Sequence, residues 1–573
     1  MQENRNILIS IILSILVLFI WSVFYEQPRI EEYKKDQIAK NEKEDKFRKV
    51  ENNIGDQKFV TIKNKNQIFI DRDEAILDPN QQRINIKSNK LKGSISLKGA
   101  RFDDLELLQY QETIDENSDN VKLLSPLKTF NHYFIDFGFL SSKSNLELPN
   151  SKSIWHADSN LLSNEKPVIL SWTNKDNILF QIKISLDDNY MFEIEKSIQN
   201  NSQNNITIAS FGRINRHLKS DSMNNFILHE GPIAVADKLL TELPYNDLKD
   251  DGDYEFQANS GWIGITDKYW LTSMIPDNNL AFNGSFSYQK SGKKEIYDSQ
   301  FITDEFEILA SETIKIKHHL FAGAKIVSLL DSYGQKFNID SFDKAVDFGW
   351  YYFLTKPFFF ILSIFSDILK NYGLAILAMT LLVKLAMFPL AHKSFTAIGR
   401  MKKFQPRIME IREQNKNDKV EMNRQIMELY KREGVNPAAG CLPMLIQIPV
   451  FFSLYKVLFV TIDMRHAPFY GWIKDLSAGD PTSIFNLFGL LPFAIESSFL
   501  QIGIWPILMG LTMILQQKLS PTPADPMQAK MMKFLPYILI LVFATFPAGL
   551  LIYWTFSNIL SIAQQYYITR KLS

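Results

Sequence analysis

The sequence predicts a two-part protein. A large extracytoplasmic antiparallel β-sandwich precedes an α-helical membrane bundle of six transmembrane helices, which carries a cytoplasmic helical hairpin. Three observations lead there. Residues 26 to about 340 are polar and broken into short alternating segments, whereas long apolar runs dominate from about 350 onward, a split hidden by the mean hydropathy of −0.11. A separate apolar run, Ile7–Tyr25, opens the chain. Residues 392–438, between two apolar runs, hold eleven Lys/Arg against six Asp/Glu.

Taken in order, Ile7–Tyr25 (ILISIILSILVLFIWSVFY) is long enough to cross a hydrocarbon core of ~30 Å at ~1.5 Å per residue. It lacks the short apolar region and small-residue cleavage site of a signal peptide, so residues 1–25 read as an uncleaved anchor. Residues 26–56 are more than half charged and read as a tether that cannot bury a core. Residues 57–340 contain alternating segments such as KFVTIKN (58–64), QIFID (67–71), GSISLKG (93–99), ILFQIKISL (178–186) and ETIKIKHHLFAG (312–323). Alternation over five to eight residues, cut by Gly, Asn and Asp, predicts antiparallel strands of a sandwich. Residues 341–370 change to helical spacing and predict an amphipathic helix at the outer membrane–water boundary, with Trp350 and Tyr351 at headgroup level.

Residues 371–573 supply five further spans: Gly373–Ala391, Cys441–Val460, Ile502–Leu519, Phe534–Phe546 and Leu550–Ile568. Residues 484–499, broken by Pro492 and Glu496, read as interfacial or re-entrant. The excess of Lys/Arg in 392–438 places that loop in the cytoplasm, so residues 26–372 lie outside and both termini inside. The flanks of the first span favour the opposite orientation, but long domains translocate largely regardless of charge. Within the loop, SFTAIGRMKKFQPRIMEIREQ and KVEMNRQIMELYKREG predict two helices of an antiparallel hairpin, with Asp418 as an N-cap.

The chain offers little chemistry. The 63 basic and 63 acidic residues balance, which argues against a nucleic-acid binder. The single cysteine, Cys441, permits no internal disulfide, and none of the eight histidines has metal-ligand spacing. No phosphate-binding GxxxxGK[ST] occurs. The acidic pairs Asp103-Asp104, Asp187-Asp188 and Asp250-Asp251 read as solvated. No enzyme, cofactor or metal is expected. The anomaly is Lys384, set in the apolar run LAMTLLVKLAMFPL (377–390), where a charge costs roughly 2.5–3.5 kcal/mol at mid-span. Thr380 lies one turn earlier; Gln447, Gln516 and Gln517 lie in other spans; Trp554, Ser557, Asn558 and Ser561 share one helical face. Polar stripes on several helices predict a hydrated cavity with Lys384 as its fixed charge, in place of snorkelling to the inner surface. A transporter would require repeated halves, which the sequence does not show. A binding or chaperone module merely anchored by its helices is the other alternative.

Three stretches carry a resemblance. They are GWIGITDKYWLTSMIP (261–276), residues 401–458 (MKKFQPRIMEIREQ…GVNPAAGCLPMLIQIPVFFSLYKVL) and residues 518–565 (KLSPTPADPMQAKMMKFLPYI…FPAGLLIYWTFSNILSIAQQ). They closely resemble the YidC family of bacterial membrane-protein insertases, and the order of anchor, periplasmic β-sandwich and five spans fits as well. The resemblance implies a hydrophilic groove, open to the cytoplasm and to lipid, that binds nascent membrane proteins. It implies that Lys384 supplies the groove's basic residue, where many relatives carry Arg, and that Thr380, Gln447, Trp554 and Ser557 line it. It further implies the bacterial inner membrane as location, substrate capture or ribosome contact by the 392–438 hairpin, and the Sec translocon as a partner. The C-terminus at Ser573 lacks the long basic tail of some relatives, and residues 484–500 are longer than in several of them.

Overall fold

The computed structural model describes residues 69–78, 82–115, 117–143, 145–218, 228–291, 294–349, 351–415, 418–434, 442–489, 491, 501–519 and 526–572. The expected anchor at 1–25, the tether at 26–56, Trp350, Cys441 and residues 492–500 lie outside them. The chain divides into two units between Ala345 and Val346.

The first unit is built from two sheets. One runs edge to edge through Tyr254–Ala258, Phe282–Ser291, Lys294–Thr303, Ile206–Leu218, Tyr133–Leu140, Arg101–Gln111, Leu91–Ser96, Arg83–Lys87 and Leu161–Leu162. The other runs through Leu239–Glu242, Gly231–Ala236, Gly261–Thr266, Trp270–Ile275, Thr313–Ala324, Met191–Asn200, Ile178–Leu186, Val168–Thr173 and His156–Ala157. These pairings are antiparallel except that Asn85–Ile86 run parallel to Leu161–Leu162. Sequence alternation sets the faces: along Ile178–Leu186 every second side chain is buried, as its ILFQIKISL pattern requires. The expected strand at 58–64 lies outside the described residues. Phe69 to Asp71 of the expected strand at 67–71 belong to no sheet, although Ile70 N donates to Lys128 O at 3.3 Å. Instead Asp71 accepts the Asp73 N–H at 3.0 Å and caps α1 (Arg72–Ile76). A carboxylate ideal for an N-cap competes with the strand and wins. Two more helices, α2 (Tyr245–Asp251) and α3 (Val327–Lys336), complete the unit.

Two polar systems hold the sheets in register. Asp103 and Asp104, expected to be solvated, are buried and ion-paired with Arg83 and Arg72. Asp136 joins Arg101 at 2.9 Å to Arg213 at 2.7 Å. Strands and, for Arg72, helix α1 bring arginines opposite these carboxylates, and pairing offsets the desolvation that isolated acids would suffer. The second system crosses between the sheets. Fully buried Lys196 reaches Gly138 O at 3.0 Å, Phe211 O at 2.7 Å and Ser210 Oγ at 2.8 Å. Ser210 Oγ meets His318 Nε2 at 2.7 Å, and His318 Nδ1 accepts the Asp277 N–H at 3.1 Å.

Donor counting fixes the protons along this chain. With Nδ1 accepting, His318 is neutral and donates from Nε2 to Ser210 Oγ. The Ser210 hydroxyl can then donate only to a lone pair on Lys196, whose two remaining hydrogens serve the two carbonyls. A neutral amine satisfies every group; an ammonium leaves the serine proton without an acceptor. Burial accordingly pushes Lys196 well below the ordinary lysine range, and His318 below the ordinary histidine range. His319, its neighbour, turns to the opposite face beside Glu193 at 3.8 Å.

The second unit is helical: α4 (Tyr352–Leu369), α5 (Tyr372–Ala386), α6 (Phe388–Lys403), α7 (Gln405–Gln414), α8 (Lys419–Arg432), α9 (Leu442–Val460), α10 (Ile504–Leu519), α11 (Pro526–Val542) and α12 (Ala548–Leu572). The expected helix over 341–370 is divided. Phe342–Ala345 form a 3-10 turn in which Phe342 packs on Trp262 and Phe321 of the first unit, and α4 starts only at Tyr352. Among the described residues, α4 is the helix long and apolar enough to cross a membrane by itself. The expected span Gly373–Ala391 stops at Ala386 and turns by 67° into α6. Pro389 explains the break, since in a continuous helix its ring would meet the Leu385 carbonyl. Pro406 does the same at Phe404, so the hairpin has three helices where two were expected. Its core joins Ile408 of α7 to Met422, Ile426 and Leu429 of α8. A second cluster seats α6, through Ala391, Phe395, Ile398 and Met401, on Ile568 of α12. Asp418 caps α8 by accepting from Val420 N and Glu421 N at 3.0 Å each, as its position in the sequence suggested. With 15, 16 and 17 residues, α5, α10 and α11 are each shorter than the ~20 of a standard span.

Two predictions test these arrangements. Between its folded value and the ordinary ~10.4, Lys196 lets the unfolded chain hold a proton that the folded chain lacks. Stability therefore falls as pH drops through that window, by about 1.4 kcal/mol per unit, and levels off below the folded value. Pulse proteolysis in urea of the detergent-solubilised chain is expected to show stability falling as pH drops below the ordinary lysine value of about 10.4, and Lys196→Met to flatten that slope. In the hairpin, Ile426→Ala is expected to cost about 2–4 kcal/mol. Hydrogen exchange should then rise in peptides from 405–432 while those from 548–565 keep their protection.

Candidate functional site

Lys384 stands near the end of α5, one turn before the bend. Leu381, Leu382 and Leu385 around it are exposed, whereas Ile376 and Met379 are fully buried. Lys384 thus lies at the border between the outer and the inner face of its helix. The side chain turns inward. Its Nζ donates to Gln447 Oε1 of α9 at 3.2 Å and to Ser561 Oγ of α12 at 2.8 Å. Among the described residues no carboxylate pairs with it. Two of its three donors are committed to neutral oxygens.

The acceptors are themselves oriented. Gln447 Nε2 donates to the Tyr553 hydroxyl while its Oε1 accepts from Lys384, whose ammonium can only donate and so sets the orientation of the amide. Tyr553 is almost fully buried and also meets Ser557, one turn along α12. A continuous polar chain therefore runs Lys384–Gln447–Tyr553–Ser557 through three helices, with Ser561 as a second contact of the ammonium. The geometry presents a positive group, backed by neutral dipoles, at the edge of an apolar bundle. Such a group can attract an anion or accept a polar segment without a covalent step.

Of the five residues expected to line a groove, Lys384, Gln447 and Ser557 come together. Thr380 does not join them: it is buried, and its Oγ1 donates to Ile376 O of its own helix at 2.6 Å. Trp554 points elsewhere. Its ring packs against Phe451 at 4.7 Å and Phe543 at 4.9 Å, in an aromatic group that includes Phe546. Asn558, on the polar face read from the sequence, donates to Thr512 Oγ1 of α10 at 3.0 Å, and Gln565 Nε2 donates to Leu519 O at 3.1 Å. That face is therefore divided between the lysine chain and the staple joining α12 to α10. Tyr553 escaped the sequence reading. Its signal was a tyrosine four residues before Ser557, on the same helical face.

Comparison with known proteins agrees with the resemblance carried by the motifs. Residues 364–573, in the helical region, match the family described as 60Kd inner membrane protein; residues 83–361, in the β region, match the YidC periplasmic domain. The chain is 49% identical to the membrane protein insertase YidC of Rickettsia conorii over 566 residues, 99% of each chain. It is 48% identical to that of Rickettsia canadensis over 575 residues, the whole of each chain. A crystal structure of active YidC insertase with its first transmembrane domain resolved covers 85% of this chain and 92% of its own, at 16% identity and a TM-score of 0.34. The protein is accordingly a non-enzymatic inner-membrane protein with a periplasmic β domain. The chain belongs to the YidC family of membrane protein insertases.

Proposed function

We propose that Lys384 receives hydrophilic segments of nascent membrane proteins in a groove of the helical unit and so starts their transfer into lipid. In this reading residues 1–25 and five further spans cross the membrane, both termini are cytoplasmic, and the tether at 26–56 precedes the periplasmic unit. The observation that carries it is the inward ammonium of Lys384, held by neutral oxygens and lacking a carboxylate among the described residues. A charge so placed is poorly neutralised and poorly hydrated, and an acidic substrate side chain improves its situation. At an effective dielectric of about 20, opposite charges 4 Å apart attract by roughly 4 kcal/mol, against ~1 kcal/mol in water. Gln447, Ser557 and Ser561 replace water for the rest of the segment, with Thr380 and Trp554 shaping the surrounding helices. The substrate's apolar part then leaves along α9 and α12, driven by about 25 cal/mol per Å² of apolar area removed from water. No nucleotide is consumed. The α6–α8 hairpin, rich in Lys and Arg, receives the nascent chain or the ribosome that carries it, and the Sec translocon shares substrates with longer translocated regions.

The test is insertion of a single-span substrate with an acidic translocated tail into proteoliposomes. Lys384→Arg is expected to retain insertion. Lys384→Met is expected to lower it by about tenfold, the equivalent of 1.4 kcal/mol, while the chain remains folded because removing an intramembrane charge relieves desolvation. Equal insertion by the methionine variant would exclude charge attraction. A substrate with a neutral tail should be insensitive to the exchange.

Gln447→Leu is expected to weaken insertion less than Lys384→Met. Because the amide acts through the ammonium, the double variant should resemble Lys384→Met alone, a coupling that the double-mutant cycle reads directly.

A further inference from the structure

Ile484–Gly489, with Leu491 beyond, present an unusual surface. Ile484–Gly489 form a short 3-10 stretch in which Leu487 (φ 50°, ψ 46°) and Phe488 (φ 59°, ψ 31°) are both left-handed. For large L-residues this costs roughly 1–2 kcal/mol each. The distortion leaves apolar side chains exposed: Phe485 by 49%, Leu487 by 53%, Phe488 by 45% and Leu491 by 39%. A turn in water would place Gly or Asn at such positions.

The loop is held firmly. Phe488 N donates to Ser483 O at 2.7 Å, Leu491 N to Asn486 O at 3.1 Å, and Ile484 N to Ile502 O at 3.0 Å. Beneath it, buried Asp480 accepts from Trp472 Nε1 at 3.1 Å and from Trp505 N at 2.9 Å, and Thr482 Oγ1 accepts the Ile504 N–H at 3.0 Å. These groups cap the first turn of α10, so the loop projects from that helix end. Asn558 on Thr512 and Gln565 on Leu519 O make α10 parallel to α12, and the hairpin packs at the far end of α12 on Ile568. The loop therefore stands at the end of the bundle opposite the hairpin.

We propose that Ile484–Gly489 form a finger that enters the acyl region of the leaflet opposite the hairpin. This rests on the membrane placement of the helical unit given above. Three observations select lipid as the occupant. The 16 residues of α10 and the 17 of α11 rise about 24–26 Å, short of the ~30 Å hydrocarbon core, and the finger extends the apolar surface beyond the first turn of α10. From Pro481 to Leu491 the sequence has no charged residue, whereas a protein-binding patch carries a polar rim. Tyr470 and Trp472, 64% and 40% exposed, lie in the connection leading to the loop, the aromatic pair expected at headgroup depth.

The test uses the full chain in Cys441→Ser form, with single cysteines replacing Phe485, Leu487 or Phe488, spin-labelled and reconstituted in phosphatidylethanolamine/phosphatidylglycerol vesicles. Control labels replace Leu511 on the exposed side of α10 and Met427 on the hairpin; insertion activity verifies that each labelled chain is folded. Power saturation is expected to give oxygen accessibility above that of a water-soluble nickel chelate at the finger and at 511, and the reverse at 427. Nickel accessibility at all three finger positions with oxygen accessibility at 511 overturns the finger and leaves the membrane placement intact. Nickel accessibility at 511 as well overturns both. Finger labels shielded from both reagents indicate a protein occupant and equally overturn lipid contact.

Discussion

An ammonium group inside an apolar bundle must find oxygen, and the position of Lys384 is decided by that need. Its two acceptors come from helices that are distant in sequence, Gln447 on α9 and Ser561 on α12. The charge therefore ties three helices together at one depth. The tie differs from a buried ion pair, in which each charge neutralises the other. Here only dipoles answer the charge, and dipoles compensate desolvation incompletely. The site stays electrostatically unsatisfied while being structurally fixed, the condition a transient acidic visitor can exploit.

The bend at Met387 places this site next to the exit from the bundle. Pro389 prevents α5 from continuing, and the chain leaves at 67° as α6. The following helices carry the dense Lys/Arg content of 392–438 and have their own small core around Ile426. On the hairpin surface Arg424 holds the Glu421 carboxyl down to about 2, so local acids are taken up by local bases. The attachment of α6 to Ile568 brings the hairpin's root to the C-terminal end of α12, the helix that also carries Ser557 and Ser561. One helix thus links the base of the hairpin to the charged site.

Much of this was legible in the sequence. The alternation in ILFQIKISL specifies a strand with one face inward, and Asp418 ahead of a helical pattern specifies a cap; both effects are local. Lys384 and Gln447 stood out because polar groups in apolar runs are costly wherever the chain goes. What the sequence concealed depends on neighbours remote in the chain. Asp103 and Asp104 look like a solvated pair until a remote strand supplies Arg83 and helix α1 supplies Arg72. Trp554, Ser557, Asn558 and Ser561 share one face by spacing, but spacing does not say that α10 claims Asn558 and that Phe451 claims Trp554. The prolines at 389 and 406 were visible, yet the hydrophobic continuity across them was the stronger pattern.

The two inward-turned lysines show how hydrogen-bond polarity assigns a role to the same side chain. Lys196 meets two carbonyls that can only accept and a serine whose proton has no other acceptor, because His318 already donates to that oxygen. Three contacts exhaust an amine with two hydrogens and a lone pair, so the group is neutral, saturated and closed to anything further. Lys384 meets an amide oxygen whose nitrogen is committed to Tyr553, and a single serine. Both contacts can accept, and a donor is left over. Reversing the Gln447 amide would turn its N–H groups toward the ammonium and repel it, so the charge itself holds the amide oxygen inward, and the Tyr553 hydroxyl takes the N–H on the other side. Saturation makes the first lysine part of a core, and incompleteness makes the second a binding group.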